Sequence, residues 1–444
     1  WMDVKIIGGG LAGAEAAFQI AERGFHVTLY EMRPRVFTEA HKTDLLSELV
    51  CSNSLKSKEL TNAHGLLKEE LRQLGSIVLK KADEAAIPGG KALVVDRERF
   101  SKAVTETIEA HPRIRVLREE VTDILGEPAV LATGPLTSTN LTKTLGDLTG
   151  AENLYFFDAI SPIVDGESIK MERAFFGSRY LEGSDDYLNC PLTKEEYQAF
   201  YEALINAERV QLREFEKTPY FEGCLPIEIM AERGQKTLLY GPMKPVGLIN
   251  TSTGKEPYAV IQLRRENRAG TMYNMVGFQT KLTYPAQERV FRLIPALRDA
   301  AFLRHGSIHR NTYINSPVIL EKDLRLKGRN DRVFFAGQMT GVEGYMESTA
   351  MGMVAGLSVS MILRDLVFPP PPEDTAVGAL LHYITTENNN FQPMSINFGL
   401  LKGYSKKYKN QVVSNALRAI TAWKERIEDQ LRDTSIGGFR WNQG

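Results

Sequence analysis

Val4-Lys5-Ile6-Ile7 is an apolar strand pattern that runs straight into Gly8-Gly9-Gly10-Leu11-Ala12-Gly13. From Leu11 to Gly24 the apolar positions recur at helical spacing, with Gly24 at the C-cap position. His26 to Glu31 is a second apolar strand, closed by an acid. Strand, glycine turn, helix and strand form the unit that holds a dinucleotide. Gly8 permits the tight turn, Gly10 lets backbone approach a pyrophosphate, and Gly13 lets the helix pack closely. Gly9, Leu11 and Ala12 complete the loop, whose helix N-terminus favours the anionic diphosphate. Glu31 stands at the spacing needed to reach an adenosine ribose.

Further on, the pattern predicts a long irregular run from Met32 to Thr61, too long for a mere connection. Asp96 caps a helix whose Phe100, Val104 and Ile108 share one face. Ile114 to Leu117 and Val121 to Leu125 are read as strands, and Ala129 to Gly134 as a buried strand ending at glycine. A comparable strand, Arg332 to Gln338, leads to Gly337, a Gly341 and Gly344 loop, and an apolar helix from Ser348 to Leu363. Between them Lys236–Tyr240, Tyr258–Leu263 and Met272–Gln279 are β-like. Pro369 to Pro372 is a stiff spacer, and a helix from Gln411 to Arg432 closes the chain.

The opening glycine motif, the Ala-Thr-Gly strand and the late Phe-Phe-Ala-Gly strand together resemble the FAD domain of glutathione-reductase-type flavoproteins. The expected fold is α/β: a Rossmann-like FAD-binding domain in two parts, 1–153 and 302–368, an inserted α+β domain at 154–301, and a mostly helical segment at 373–444. Gly134, Gly337, Gln338, Gly341 and Glu343 join the cofactor set on this resemblance. No second GxGxxG is present for NAD(P)H, so a reductant would visit transiently.

Composition narrows the classes. With 444 residues, 43% hydrophobic and 25% charged, the chain reads as an ordinary globular protein of two or three domains. The net charge of −1 announces no global attraction to nucleic acid, so any such surface has to be local. No stretch is long and apolar enough to span a bilayer and no signal-peptide pattern precedes the first strand; the expectation is a cytoplasmic protein with no membrane association. Cys51, Cys190 and Cys224 are widely spaced without CxxC, which argues against a disulfide framework or zinc site.

Longer runs carry a sharper resemblance. Glu31-Met32-Arg33-Pro34, Glu48-Leu49-Val50-Cys51-Ser52-Asn53-Ser54-Leu55, Phe221-Glu222-Gly223-Cys224-Leu225-Pro226-Ile227-Glu228, Gly241-Pro242-Met243-Lys244-Pro245 and Gly337 to Tyr345 resemble the folate- and FAD-dependent tRNA (uracil-5-)-methyltransferases, relatives of the GidA flavoproteins. The likeness runs to at least Asn397-Phe398-Gly399-Leu400-Leu401, departing at Gly9, where Ala is common, and in the C-terminal tail. It implies FAD as cofactor, 5,10-methylenetetrahydrofolate as one-carbon donor, NADH or NADPH as reductant and tRNA as substrate, with no obligate protein partner evident. Arg33 enters the cofactor set in the same way.

Uracil C5 is a poor nucleophile until a thiolate adds at C6. Cys224 sits in a Gly/Pro-bounded turn opening a short helix, Ile227 to Arg233, where a thiol pKa is lowered. It is the expected C6 nucleophile, with Cys51 assisting near the flavin; the two roles are exchangeable. Cys190, before Pro191, reads as core. Glu343 and Tyr345 fall where flavoprotein loops approach the ring system. His309 is a candidate to stack on a pterin and Arg310 to face the folate glutamate, while Arg97 either touches the adenosine side or solvates a helix start. Two basic runs are candidates for RNA phosphates: Lys402, Lys406, Lys407 and Lys409 with Tyr404 and Tyr408, and Arg304, Arg310, Lys322, Arg325, Lys327, Arg329 and Arg332. Three alternatives stay open: the same chemistry on ribosomal RNA, a simple NAD(P)H oxidase or reductase, and a non-catalytic flavin-bearing RNA-binding protein.

Overall fold

The computed structural model describes residues 3–124, 126–150, 154–179, 183–210, 225–328, 332–389 and 391–436. Its organising layer is a five-stranded parallel sheet in the order Val333–Phe335, Ala129–Leu131, Asp3–Ile7, His26–Glu31 and Ile114–Arg118. The central strand pairs Ile6 with Leu29 on one side and with Val130 on the other. All its neighbours are parallel and buried, as sheets covered on both faces are. The carboxyl ends of these strands deliver the glycine loop, Glu31, Ala132 to Gly134 and Gly337 to one edge, where open α/β sheets bind ligands.

Two helices fix the geometry of that edge. Leu11–Glu22 follows the glycine loop, and Tyr345–Ile362 crosses it at backbone distance. A Cβ on Gly352 would lie 2.3 Å from the Ala12 carbonyl oxygen, and one on Gly356 2.8 Å from Gln19 Cβ. Met346 to Met361 is buried on every face, consistent with its near-uniform apolar sequence.

A second, six-stranded antiparallel sheet runs in the order Phe175–Gly177, Tyr187–Leu192, Ala259–Arg265, Met272–Met275, Ile163–Asp165 and Phe302–Arg304. Helices Lys194–Ile205, Ile227–Glu232 and Tyr284–Phe291 pack on it around Phe200, Phe278 and Phe291. Cys190 is fully buried there, and burial pushes its thiol up to about 12. An antiparallel ribbon, Leu154–Ile160 with Ser307–Tyr313, sets His309 opposite Asp158. The C-terminal segment is tied back by charge and ring contacts. Glu70 accepts from the Ala376 and Val377 N–H groups (2.7 and 2.9 Å) at the start of helix Ala376–Thr385, and Trp423 of helix Lys409–Ile436 donates to Pro369 O at 2.8 Å.

Several elements differ from the sequence expectation. Lys236–Tyr240 is not a strand: Thr237–Tyr240 forms a short helix that buries only Leu238, too few alternating positions for a sheet face. Val121 to Ile124 forms no strand, because Ile114–Arg118 already takes the sheet edge and Glu119 to Val121 turn to line a cavity. Strand Met272–Met275 stops before Gln279, the long run after Met32 contains strand Ser54–Ser57, and the late helix begins at Tyr345 rather than Ser348.

Replacing Gly352 with Ala puts a methyl group into the Ala12 backbone, so the helix pair has to separate. We expect a loss of about 2–3 kcal/mol, read as a lowered denaturation midpoint, together with reduced flavin content measured by absorbance.

Candidate functional site

The glycine loop opens onto a cavity of about 1020 Å³. Gly8, Gly9, Gly10, Leu11, Ala12, Glu31, Arg33, Gly134, Gly337 and Gln338 all line it. Gly8 has φ +107°, and a Cβ there would sit 2.4 Å from the Ala132 carbonyl oxygen, so only glycine fits this turn. Above Gly10 a Cβ would meet nothing within 4 Å, so this peptide faces open space. No side chain caps the helix that begins at Leu11, which leaves its first-turn N–H groups to an anion. A dinucleotide fits this cradle. Gly13 and Gly341 lie off the cavity wall: a Cβ on Gly13 would lie 1.8 Å from Gly8 O, and one on Gly341 would enter the Phe391 ring at 2.2 Å. Both act by allowing close packing.

Glu31 accepts from the Gly9 N–H at 3.1 Å and from Arg33 Nε at 2.8 Å. Burial alone would raise its pKa, but the Arg33 guanidinium outweighs that and holds the carboxylate below its ordinary value. Arg33 is itself buried and also reaches Glu48 at 2.8 Å, forming a Glu31–Arg33–Glu48 ladder beneath the cavity. Burial and the same guanidinium lower His41 to about 4, so this imidazole on the cavity wall is neutral.

A second cavity of about 960 Å³ shares Val50, Pro135, Leu136, Gln338 and Tyr345 with the first. Cys51, Lys56, Asp158, Gln279, His309, Asn311, Glu343 and Glu347 face it. Cys51 therefore faces the second cavity and follows Val50, which lines both. Its loop is gripped from the late helix and from the antiparallel sheet. Tyr345 Oη accepts from the Cys51 N–H at 2.8 Å and the Ser52 N–H at 3.2 Å. Arg264 of the antiparallel sheet donates to Ser52 Oγ at 2.7 Å and Asn53 Oδ1 at 2.9 Å. Arg97 Nη1 bonds the Leu49 carbonyl while its Nε reaches Glu266 at 2.9 Å; it braces this loop and touches no adenosine-side wall.

Glu343 lies in the second cavity rather than the first, accepting from Gln338 at 2.5 Å. Burial, then Asp158, raises it to about 8. Four residues on, Glu347 shows the opposite state: burial would raise it, but Lys56 at 3.7 Å and His64 at 3.2 Å bring it down to about 2. His309 bonds Ser307 Oγ at 2.8 Å, and burial lowers its pKa, favouring the neutral ring. Cys224 and the side chain of Arg310 lie outside the described residues. Of the flanking chain, Ile227 N–H donates to Gln279 O at 2.7 Å, and Gln279 faces the second cavity.

A family model described as glucose inhibited division protein A matches residues 3–366. The methylenetetrahydrofolate–tRNA-(uracil-5-)-methyltransferase TrmFO of Natranaerobius thermophilus is 56% identical over 97% of this chain and 100% of its own length. That of Moorella thermoacetica is 56% identical over 95% of this chain and 97% of its own. The chain belongs to the TrmFO branch of the GidA family. Aquifex aeolicus GidA superposes with a TM-score of 0.71 at 17% identity, covering 98% of this chain and 76% of that one, and shares its fold.

Arg264, Glu347 and Lys56 were absent from the sequence-based site of this TrmFO-family chain. Arg264 had a signal: it follows Gln262 at strand spacing in an otherwise apolar run. Glu347 is the lone acid in an apolar helix, a cost that calls for a partner. Lys56 had none, since its positive φ of 63° and its reach to Ser395 at 2.9 Å are tertiary facts.

Tyr345→Phe leaves two backbone N–H groups without their acceptor. We expect at least tenfold slower methyl transfer with unchanged flavin content, and a changed alkylation rate at Cys51, since an orphaned buried donor costs ~1–3 kcal/mol. A raised carboxyl pKa adds stability below about pH 4.5 that is lost as pH climbs through about 8. Glu343→Gln should flatten the decline of melting temperature over that window, read by calorimetry.

Proposed function

We propose that this chain methylates C5 of a uridine in tRNA, the T-loop uridine, using 5,10-methylenetetrahydrofolate as one-carbon donor, FAD as cofactor and NADH or NADPH as reductant, in the cytoplasm. The observation that carries this reading is the placement of Cys51 on the second cavity, next to Val50, at the junction of the wall shared with the glycine-loop cavity. The activity for which the relatives are named agrees with it. A plain oxidase or a binding module has no use for a thiol at that junction.

FAD, when bound and reduced by NADH or NADPH, would supply the electrons that reduce the one-carbon unit to a methyl group. It would lie on Gly8 to Ala12, with Glu31 on the ribose side and Gln338 and Tyr345 where the cavities join. The chain's own chemistry is nucleophilic. A Cys224 thiolate adds to uracil C6; a carbon–sulfur bond forms and the C5–C6 π pair moves onto C5, which becomes able to attack carbon. Once C5 carries its new carbon, a base removes the C5 proton, and Cys51 is the residue we assign to that task. Loss of the C6 proton is not required: return of the electron pair from C5 expels the thiolate. Neutral His309 closes one wall of the second cavity, so a flat pterin can lie against it without a charge mismatch.

The test is methyl transfer from labelled methylenetetrahydrofolate to a tRNA transcript. Cys224→Ala and Cys51→Ala should each lose about three orders of magnitude or more while keeping flavin and NAD(P)H oxidation. Full transfer in the Cys224 variant would overturn the assignment.

A further inference from the structure

We infer that the surface formed by Lys406, Lys407, Tyr408 and Lys409 is where the RNA backbone docks; this rests on the tRNA-methyltransferase reading. The two basic runs of the sequence have different fates in the fold. In the run from Arg304 to Arg332, Lys322 lies 3.6 Å from Glu373, Arg325 lies 2.7 Å from Asp323, and Arg332 lies 3.9 Å from Asp365. Lys327 donates to the Pro317 carbonyl at 2.7 Å. Three cations of that run, Lys322, Arg325 and Arg332, are thus answered by carboxylates of the protein itself.

The second run keeps its charge. Lys402 is taken by Glu373 at 3.1 Å. Lys407 Nζ instead lies 5.4 Å from the centre of the Tyr408 ring, and Lys409 Nζ 4.7 Å from that of Phe398. Among the described residues, Lys406, Lys407 and Lys409 form no ion pair with a carboxylate. Ring faces attract an ammonium weakly and leave it free to meet a phosphate. Tyr404 is not a base platform, because it is stacked on Phe398 at 5.2 Å and 12° and stiffens the face instead. Tyr408 is 54% exposed and remains open to a base. The residues Lys406 to Gln411 surround a shallow depression of about 620 Å³.

The patch is also in reach of the site. Ser395 accepts from Lys56 and donates to the Glu343 carbonyl at 2.8 Å, so it sits on the rim of the second cavity. The chain from Ser395 to Lys406 spans at most ~40 Å. A polyanion held on these lysines has to reach no farther than that span to present one extruded base to the second cavity.

The experiment uses the flavin-loaded protein and a tRNA transcript, with dissociation constants measured over a range of KCl concentrations alongside methyl-transfer kinetics. In the double variant Lys406→Gln/Lys407→Gln, the slope of log affinity against log salt should fall by about 2, and affinity at physiological salt by about 10- to 30-fold. KM for tRNA should rise with kcat and flavin content unchanged. Tyr408→Ala should weaken binding without changing the slope, and Lys322→Gln should behave as the parent does. A double variant with the parent's slope and KM would overturn the docking surface while the methyltransferase reading stood. A parent protein that neither binds nor methylates tRNA would bring down that reading and the surface with it.

Discussion

The site depends on the approach of two helix backbones. Leu11–Glu22 carries the glycine loop at its start, and Tyr345–Ile362 carries Tyr345 and Glu347 in its first turn. Because Gly352 and Gly356 have no side chains, the second helix sinks onto Ala12 and Gln19. That depth sets where Tyr345 Oη stands, and Tyr345 Oη holds the Cys51 and Ser52 amides. A residue nearly three hundred positions from Cys51 therefore fixes the distance between its loop and the glycine cradle. Packing at this density transmits small displacements instead of absorbing them, so the helix crossing acts on the chemistry as well as on stability.

The buried acids divide by partner rather than by depth. Glu31 and Glu347 are both buried, and each is held ionised by a cation within reach: Arg33 for the first, and Lys56, joined by a hydrogen bond from His64, for the second. Glu343 is equally enclosed, faces Asp158, and has only an amide as its close partner, so it favours the protonated form up to about pH 8. Two carboxyl groups four residues apart on one cavity wall thus occupy opposite protonation states near neutrality. Environments that push such pairs apart are a recurrent means of placing a proton donor and a fixed negative charge in one site.

Much of this was legible in the chain because the informative residues obey local rules. Gly8 and Gly10 announce themselves through turn geometry and close approach, and Asp96 caps its helix by accepting from the Arg99 N–H at 3.1 Å. Period-2 and period-3.6 patterns located the central strands and the two long helices. Local rules failed where a second segment decides. Thr237–Tyr240 reads as strand by composition yet turns as a helix, because no neighbouring strand is there to pair with it. Arg97 looked like a helix-start residue, and its position just after Asp96 gave no hint that it reaches across to Leu49 and Glu266.

Charge is where linear reading misleads most, and the reason is physical. A run of cations counts only the acids within it, whereas the field outside depends on acids brought from elsewhere. Glu373 answers both Lys322 and Lys402, residues from two different runs, and Asp365 answers Arg332 from beyond the late helix. An ion pair at such distances cancels most of its far field within a Debye length of ~8 Å at physiological salt, so a paired lysine neither steers nor holds a polyanion. What remains is set by the lysines that tertiary structure leaves beside rings rather than carboxylates. For a chain of net charge −1, a small uncancelled patch is a sufficient basis for the proposed RNA docking, and a uniformly basic surface is not needed.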